Sequence, residues 1–132
     1  MKLKTDFKVN LKTKEVQDKA KKAIQLGIRD TVVEIHGDAI KNAKSVKFWE
    51  TGHNARSIVS EVSGMGGTVM QGEDAEPQRV VDDSKMEGAV YSTSGYGGFG
   101  ETGTVKMAAR PYFKPALDKN IKNLPRGIRA HL

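Results

Sequence analysis

The run Gly95-Tyr96-Gly97-Gly98-Phe99-Gly100 has the G-x-G-x-x-G spacing with which backbone amides cradle a phosphate. That chemistry needs a strand before the run and a helix after it, so that the helix's first amides meet the anion. Glu101-Thr102-Gly103-Thr104 does not begin an amphipathic helix, and Pro111 follows soon after. The run therefore reads as a bulged or flexible strand, and no cofactor is expected. His36, His53 and His131 are scattered, with no pair at helical i, i+4 spacing to grip a metal. Ser57 lies near His53 in the chain, but no strained nucleophile turn surrounds it. Asp82-Asp83, Asp74 and Glu76 sit among loop-forming residues, where solvated acids are the simplest reading. No catalytic, cofactor-binding or metal-ligating residue is assigned, and the chain is not expected to be an enzyme.

Lys106, Arg110, Lys114, Lys119, Lys122, Arg126 and Arg129 make the C-terminal segment basic. Its aromatics, Tyr112 and Phe113, are adjacent. A base-stacking platform interleaves aromatics with cations, so sequence readout of a nucleic acid is not expected, although phosphate attraction is. Charge is segregated along the whole chain. Residues 1–50 carry 12 Lys/Arg against 7 Asp/Glu, residues 51–104 carry 3 against 8, and residues 105–132 carry 7 against 1. Such segregation suits self-association, one copy's basic face meeting another's acidic one.

Several elements must position these groups. Residues 2–12 alternate: Leu3, Thr5, Phe7, Val9 and Leu11 fall on one side, with lysines dominating the other. Period two marks a half-buried strand. From Thr13 the spacing changes to steps of three and four. Val16, Ala20, Ala23, Gly27, Thr31, Ile35, Ala39 and Ala43 form one stripe, with Ile24, Ile28, Val32 and Ile40 beside it. This predicts a helix of about thirty residues whose seam of small side chains admits a close neighbour. Gly27 and Gly37 are its weak points, since each costs about 1 kcal/mol relative to Ala.

Short strands are expected at Ile58–Val62 and around Val69-Met70, Val80-Val81 and Ala89–Tyr91. A glycine-rich and acidic region, about 64–88, reads as exposed and mobile. A second helix follows Pro111, with Pro115 in its first turn and Pro125 ending it. The fold class is α+β. A long N-terminal helix packs on a small antiparallel sheet, and a second short helix lies near the C-terminus, all in one domain spanning 1–132. The absence of cysteine excludes disulfides and thiolate metal sites. No stretch is apolar enough to span a membrane, and the N-terminus lacks a signal-peptide pattern.

Two segments resemble those of the head–tail joining proteins (neck, tail-completion or minor tail components) of long-tailed bacteriophages. Thr51-Gly52-His53-Asn54-Ala55-Arg56-Ser57-Ile58 is similar to the family's T-G segment after the long helix. Tyr96 to Thr104, followed by the block from Lys106 through Ala109-Arg110-Pro111 to Pro115-Ala116-Leu117, is similar to its E-x-G-T and A-R-P…P-A-L signature. Gly100 and Thr102 stand where the family usually has an apolar residue and an aromatic. The resemblance implies a structural virion protein, made in the bacterial host cytoplasm and carried at the head–tail junction or tail. It implies a homo-oligomeric ring, expected to be six-fold, around the DNA channel. Its partners would be the head connector or stopper and the tail-terminator or tail-tube proteins, with non-specific contact to packaged DNA. Glu101, Arg110, Pro111, Lys119, Lys122 and Arg126 are the candidate assembly-interface residues, with Pro111 fixing the turn into the last helix and Glu101 a candidate partner for Arg110. The alternative is a basic nucleic-acid-binding accessory protein.

Overall fold

The computed structural model describes residues 14–45, 55–93, 99–102, 104–108 and 113–132. The expected N-terminal strand, Thr51–Asn54, Gly95–Gly98, Arg110 and Pro111 lie outside them. The elements run α1 (Lys14–Ser45), β1 (Ile58–Val62), β2 (Thr68–Gln71), β3 (Gly88–Ser92), β4 (Phe99–Thr102), β5 (Val105–Ala108), α2 (Phe113–Asn120), a 3₁₀ turn (Ile121–Asn123) and α3 (Leu124–Ala130). The α+β reading holds, with a long helix against a small sheet.

The five strands are ordered β2-β1-β3-β5-β4. All pairings are antiparallel except β3 with β5, which is parallel. The two-residue link between β4 and β5 forces that pair to be antiparallel. Because β5 rather than β4 docks on β3, the junction with β3 becomes parallel. The sheet is therefore mixed where an antiparallel one was expected.

α1 carries the core. Ile28, Val32 and Ile35 are fully buried, each contributing about 1.5–3 kcal/mol of hydrophobic stabilisation. One helix face meets the sheet: a Cβ on Gly88 would lie 2.7 Å from Val32 Cγ2 and 2.8 Å from Ile28 Cγ2, so only glycine lets β3 approach so closely. His36 bonds Ser60 of β1, and Gln25 Nε2 donates to the Ser63 carbonyl at 3.3 Å. The opposite face, through Gly27, Asp30 and Asp38, receives α2 and α3. Both faces being covered explains the broad apolar pattern. Gly27 is not a kink but a crossing point, its Cα 3.6 Å from where a Gly127 Cβ would stand. The stripe is buried only from Ala23 onward; residues 14–19 are exposed, Val16 among them.

Pro125 does not end the second helix. It lies in the first turn of α3, where its missing N–H is among those without an intrahelical partner anyway. Nor do Val80-Val81 form a strand. Residues 72–87 make an irregular strap over the sheet face away from α1, with Arg79 at φ 53° and Val81 buried.

Candidate functional site

The register of β1 and β3 sorts their side chains. Ser60 pairs with Val90 and faces α1, as its bond to His36 shows, so Val59, Glu61, Ala89 and Tyr91 face the strap. Glu61 is wholly buried there. The Tyr91 hydroxyl donates to its Oε2, and Val80 N–H donates to Oε1 at 3.0 Å. Arg79 Nη1 lies 3.5 Å from Oε1. Gln78 N–H in turn donates to the Tyr91 oxygen at 2.9 Å. Burial, then the neighbouring Glu61, pushes the Tyr91 phenol well above its ordinary range. The phenol stays protonated and donating.

Glu87 anchors the strap's other end. Its carboxylate accepts from Asp82 N–H at 2.7 Å and lies 3.1 Å from Lys106 Nζ of β5. Its backbone exchanges bonds with Ser63: the Ser63 N–H donates to the Glu87 carbonyl at 2.9 Å, and the Glu87 N–H donates to Ser63 Oγ at 3.0 Å. The acidic region is thus tied down by two carboxylates pointing inward, Glu61 at its middle and Glu87 at its C-terminal end, while Glu73 and Glu76 remain exposed. The sequence reading missed Glu61. Its signal is a carboxylate inside the otherwise uncharged strand Ile58–Val62, which is too short and too apolar to afford one at its surface.

The groups singled out for chemistry are dispersed. β4 and β5, not a helix, follow the glycine run, so the phosphate-cradling arrangement does not form around Phe99–Thr102. His36 is in the core, where desolvation lowers its pKa to about 4. The neutral ring bridges α1 to β1. His131 Nε2 lies 2.6 Å from Asp30 Oδ2 and ties the C-terminus to α1. Ser57 is buried, and its carbonyl accepts from Thr93 N–H at 2.9 Å; His53 lies outside the described residues. Asp82 accepts from both the hydroxyl and the N–H of Ser84, which hold its carboxyl below the usual range. Asp83 pairs with Arg79 and Asp74 with Arg56. Among the described residues no three His, Cys, Asp or Glu side chains are grouped to hold a metal. A groove of about 440 Å³ between α1 and residues 83–86 mixes Lys21, Lys22 and Asp83 with Leu26, Met65 and Met86, without a convergent reactive group.

Of the candidate interface residues, Lys119, Lys122 and Arg126 are exposed on one run of α2, the 3₁₀ turn and α3. Lys119 Nζ lies 3.7 Å from Asp38 Oδ2, but its side chain is 71% exposed, so the pair leaves most of the cation to solvent. Asp38 is held below the usual carboxylate range chiefly by Asn120, which donates at 2.7 Å, and then by Lys119. The backbone sets Glu101 opposite Lys106, and Lys106 reaches Glu87. Arg110 and Pro111 fall outside the described residues. The arrangement offers an exposed cationic ridge, exposed acids on the strap, and an interior whose described carboxylates serve the fold.

No protein-family model, curated protein or solved structure matches the chain significantly. No described helix is long and apolar enough to cross a membrane.

Proposed function

We propose that this chain is a structural assembly subunit at the head–tail junction of a long-tailed bacteriophage. Copies form a ring, six-fold, around the DNA channel, between the head connector or stopper and the tail-terminator or tail-tube proteins. The observation that carries this reading is the ordered pair of motifs, Thr51–Ile58 after the long helix and Tyr96–Leu117 running into the last helices. The secondary structure is consistent with that order: α1 ends before the first motif, β4 holds Glu101 and Thr102 of the E-x-G-T portion with β5 starting at Val105, and α2 starts at Phe113 with Pro115 in its first turn. Segregated charge supports it too, since the exposed ridge of Lys119, Lys122 and Arg126 complements the strap's Glu73 and Glu76.

The same cationic ridge favours a second reading, a nucleic-acid-binding accessory protein. Binding to duplex DNA that weakens steeply with salt, in a protein that never enters particles, would select it. The direct test of the first reading is disruption of the gene in the phage that carries it. Full heads and finished tails should accumulate unjoined, and supplying the chain should restore infectious particles. Normal joined particles from the disrupted phage would overturn the proposal.

A further inference from the structure

The groove between α1 and the C-terminal end of the strap combines apolar walls with a cationic rim. Leu26, Met65 and Met86 supply the walls, and Met65 is 36% exposed. Lys21, Lys22 and Lys85 are exposed around it, and among the described residues none of them lies within ion-pair distance of an acid. The groove also holds Asp18 and Asp83. Asp83 is already engaged: Arg79 Nη2 lies 2.5 Å from its Oδ1, and Gly64 N–H donates to the same oxygen at 2.8 Å. Asp18 alone stands against the three lysines. Such a lining fits a short acidic segment that also presents an apolar residue. The apolar part matters, because exposed ion pairs alone hold little and methionine adapts to varied shapes. Residues 2–12 of the chain carry Lys2, Lys4, Lys8 and Lys12 against Asp6, the wrong sign for this rim.

The N-terminal end of the strap has the required chemistry. Its chain reverses in a turn where Ala75 N–H donates to the Gly72 carbonyl at 3.1 Å. Glu73, Glu76 and Pro77 are exposed there. Asp74 is taken up by Arg56, whereas Glu73 and Glu76 form no ion pair among the described residues. The turn thus offers two carboxylates beside one apolar ring.

Distance along β1 decides whose turn enters whose groove. The turn is held at the start of that strand, where Gly72 N–H donates to the Ile58 carbonyl and Asp74 N–H to the Arg56 carbonyl, both at 3.0 Å. The groove lies past the end of the strand, where Gln25 of α1 bonds the Ser63 carbonyl and Asp83 bonds Gly64. From Ser57 to Gly64 an extended chain covers about 23 Å. Glu76 N–H is further held by Thr93 Oγ1 at 3.2 Å, so the turn cannot swing across to its own groove. A second copy meets no such constraint. We infer that the Glu73–Pro77 turn of one copy seats in the Lys21–Lys22–Lys85 groove of the next. Glu73 and Glu76 meet the lysines, and Pro77 meets the methionines. Repeated, the contact runs head to tail, as ring closure requires. The ridge of Lys119, Lys122 and Arg126 adds to the field that draws the acidic strap in. This rests on the reading of the chain as a self-assembling subunit and names the contact that links its copies.

The test uses the full chain, which has no cysteine of its own. Pro77→Cys protein, marking the turn, is mixed at high concentration with Ser84→Cys protein, marking the groove. A short bismaleimide then joins thiols that meet. The expected result is a mixed dimer that dominates over the two like-with-like dimers. A chain carrying both cysteines should give products longer than a dimer. Lys21→Glu with Lys22→Glu should lower the mixed product about tenfold and leave the melting curve unchanged, since both lysines are exposed. Glu73→Lys with Glu76→Lys in the partner should then restore it. A mixed product no greater than the like-with-like ones would overturn the proposal, as would a doubly marked chain that stops at the dimer. Undiminished product after the lysine reversal, or no restoration by the reversed turn, would also overturn it. Crosslinking without head–tail joining would refute the virion reading alone, and joining without crosslinking would refute this contact alone.

Discussion

Replacing Glu61 with Ala removes the acceptor on which the strap hangs. The Tyr91 hydroxyl and the Val80 N–H, the latter 3.0 Å from Oε1, would lose their partner in a site closed to water. Each buried donor left unpaired costs about 1–3 kcal/mol. Arg79 adds little, because its side chain is 35% exposed and can hydrate. The expected loss is about 3–5 kcal/mol, in the range for breaking a buried polar network. For a domain of this size that lowers the thermal midpoint by about 10–15 °C, measured by circular dichroism. Trypsin should gain access to Arg79 and Lys85 in the same variant. Glu61→Gln keeps an acceptor for the Val80 N–H but replaces the oxygen that accepts from Tyr91 with an NH2 group, so it should cost less than Glu61→Ala without restoring full stability. A Glu61→Ala protein within about 1 kcal/mol of wild type, with its strap still protected, would refute the role assigned to this carboxylate.

Acid should destabilise the fold between pH 6.5 and about 4, because there the unfolded chain protonates His36 while the folded one does not. Stability therefore rises with pH across that window by about 3 kcal/mol, and His36→Gln should flatten that rise in denaturant titrations. Asp38 and Asp82 act lower: their depressed pKa values give stability that is present above the unfolded value near 3.8 and lost as pH falls further. Gly27→Ala should destabilise by about 1–3 kcal/mol in thermal melts, since its Cβ would lie 2.7 Å from the Ile128 backbone N. Gly37→Ala should instead stabilise by about 0.5–1 kcal/mol, as its Cβ meets nothing within 4 Å.

Local periodicity carried much of the architecture. The three-and-four spacing located α1, and the apolar run at Ile58–Val62 located β1, because each segment's pattern reports its own burial. What escaped were features set by distant partners. Pro125 looks like a terminator locally, yet it opens α3 because Gly27 and Gly127 let that helix close onto α1. Val80-Val81 has strand composition, but Glu61 takes the N–H of Val80 and Arg79 turns the backbone. His36 lay beside the stripe as first drawn and became core because α1 has two covered faces. At the candidate site, the exposure expected of Lys119, Lys122 and Arg126 is present. The partnership suggested for Glu101 and Arg110 falls on residues whose side chains the structure does not describe.

The central claim is that this chain joins heads to tails through an oligomeric contact using its basic C-terminal ridge. The most direct measurement adds purified protein to heads and tails made without it and counts infectious particles. Wild-type protein should restore them. The combined reversal Lys119→Glu, Lys122→Glu and Arg126→Glu should reduce the yield at least tenfold, corresponding to about 1.4 kcal/mol of lost assembly energy, in keeping with exposed pairs worth about 0–1 kcal/mol each. Its circular dichroism and melting curve should match wild type, because all three side chains are exposed. Full restoration by the triple variant would show that the ridge is not an assembly surface, and no restoration by the wild-type chain would contradict the head–tail account itself.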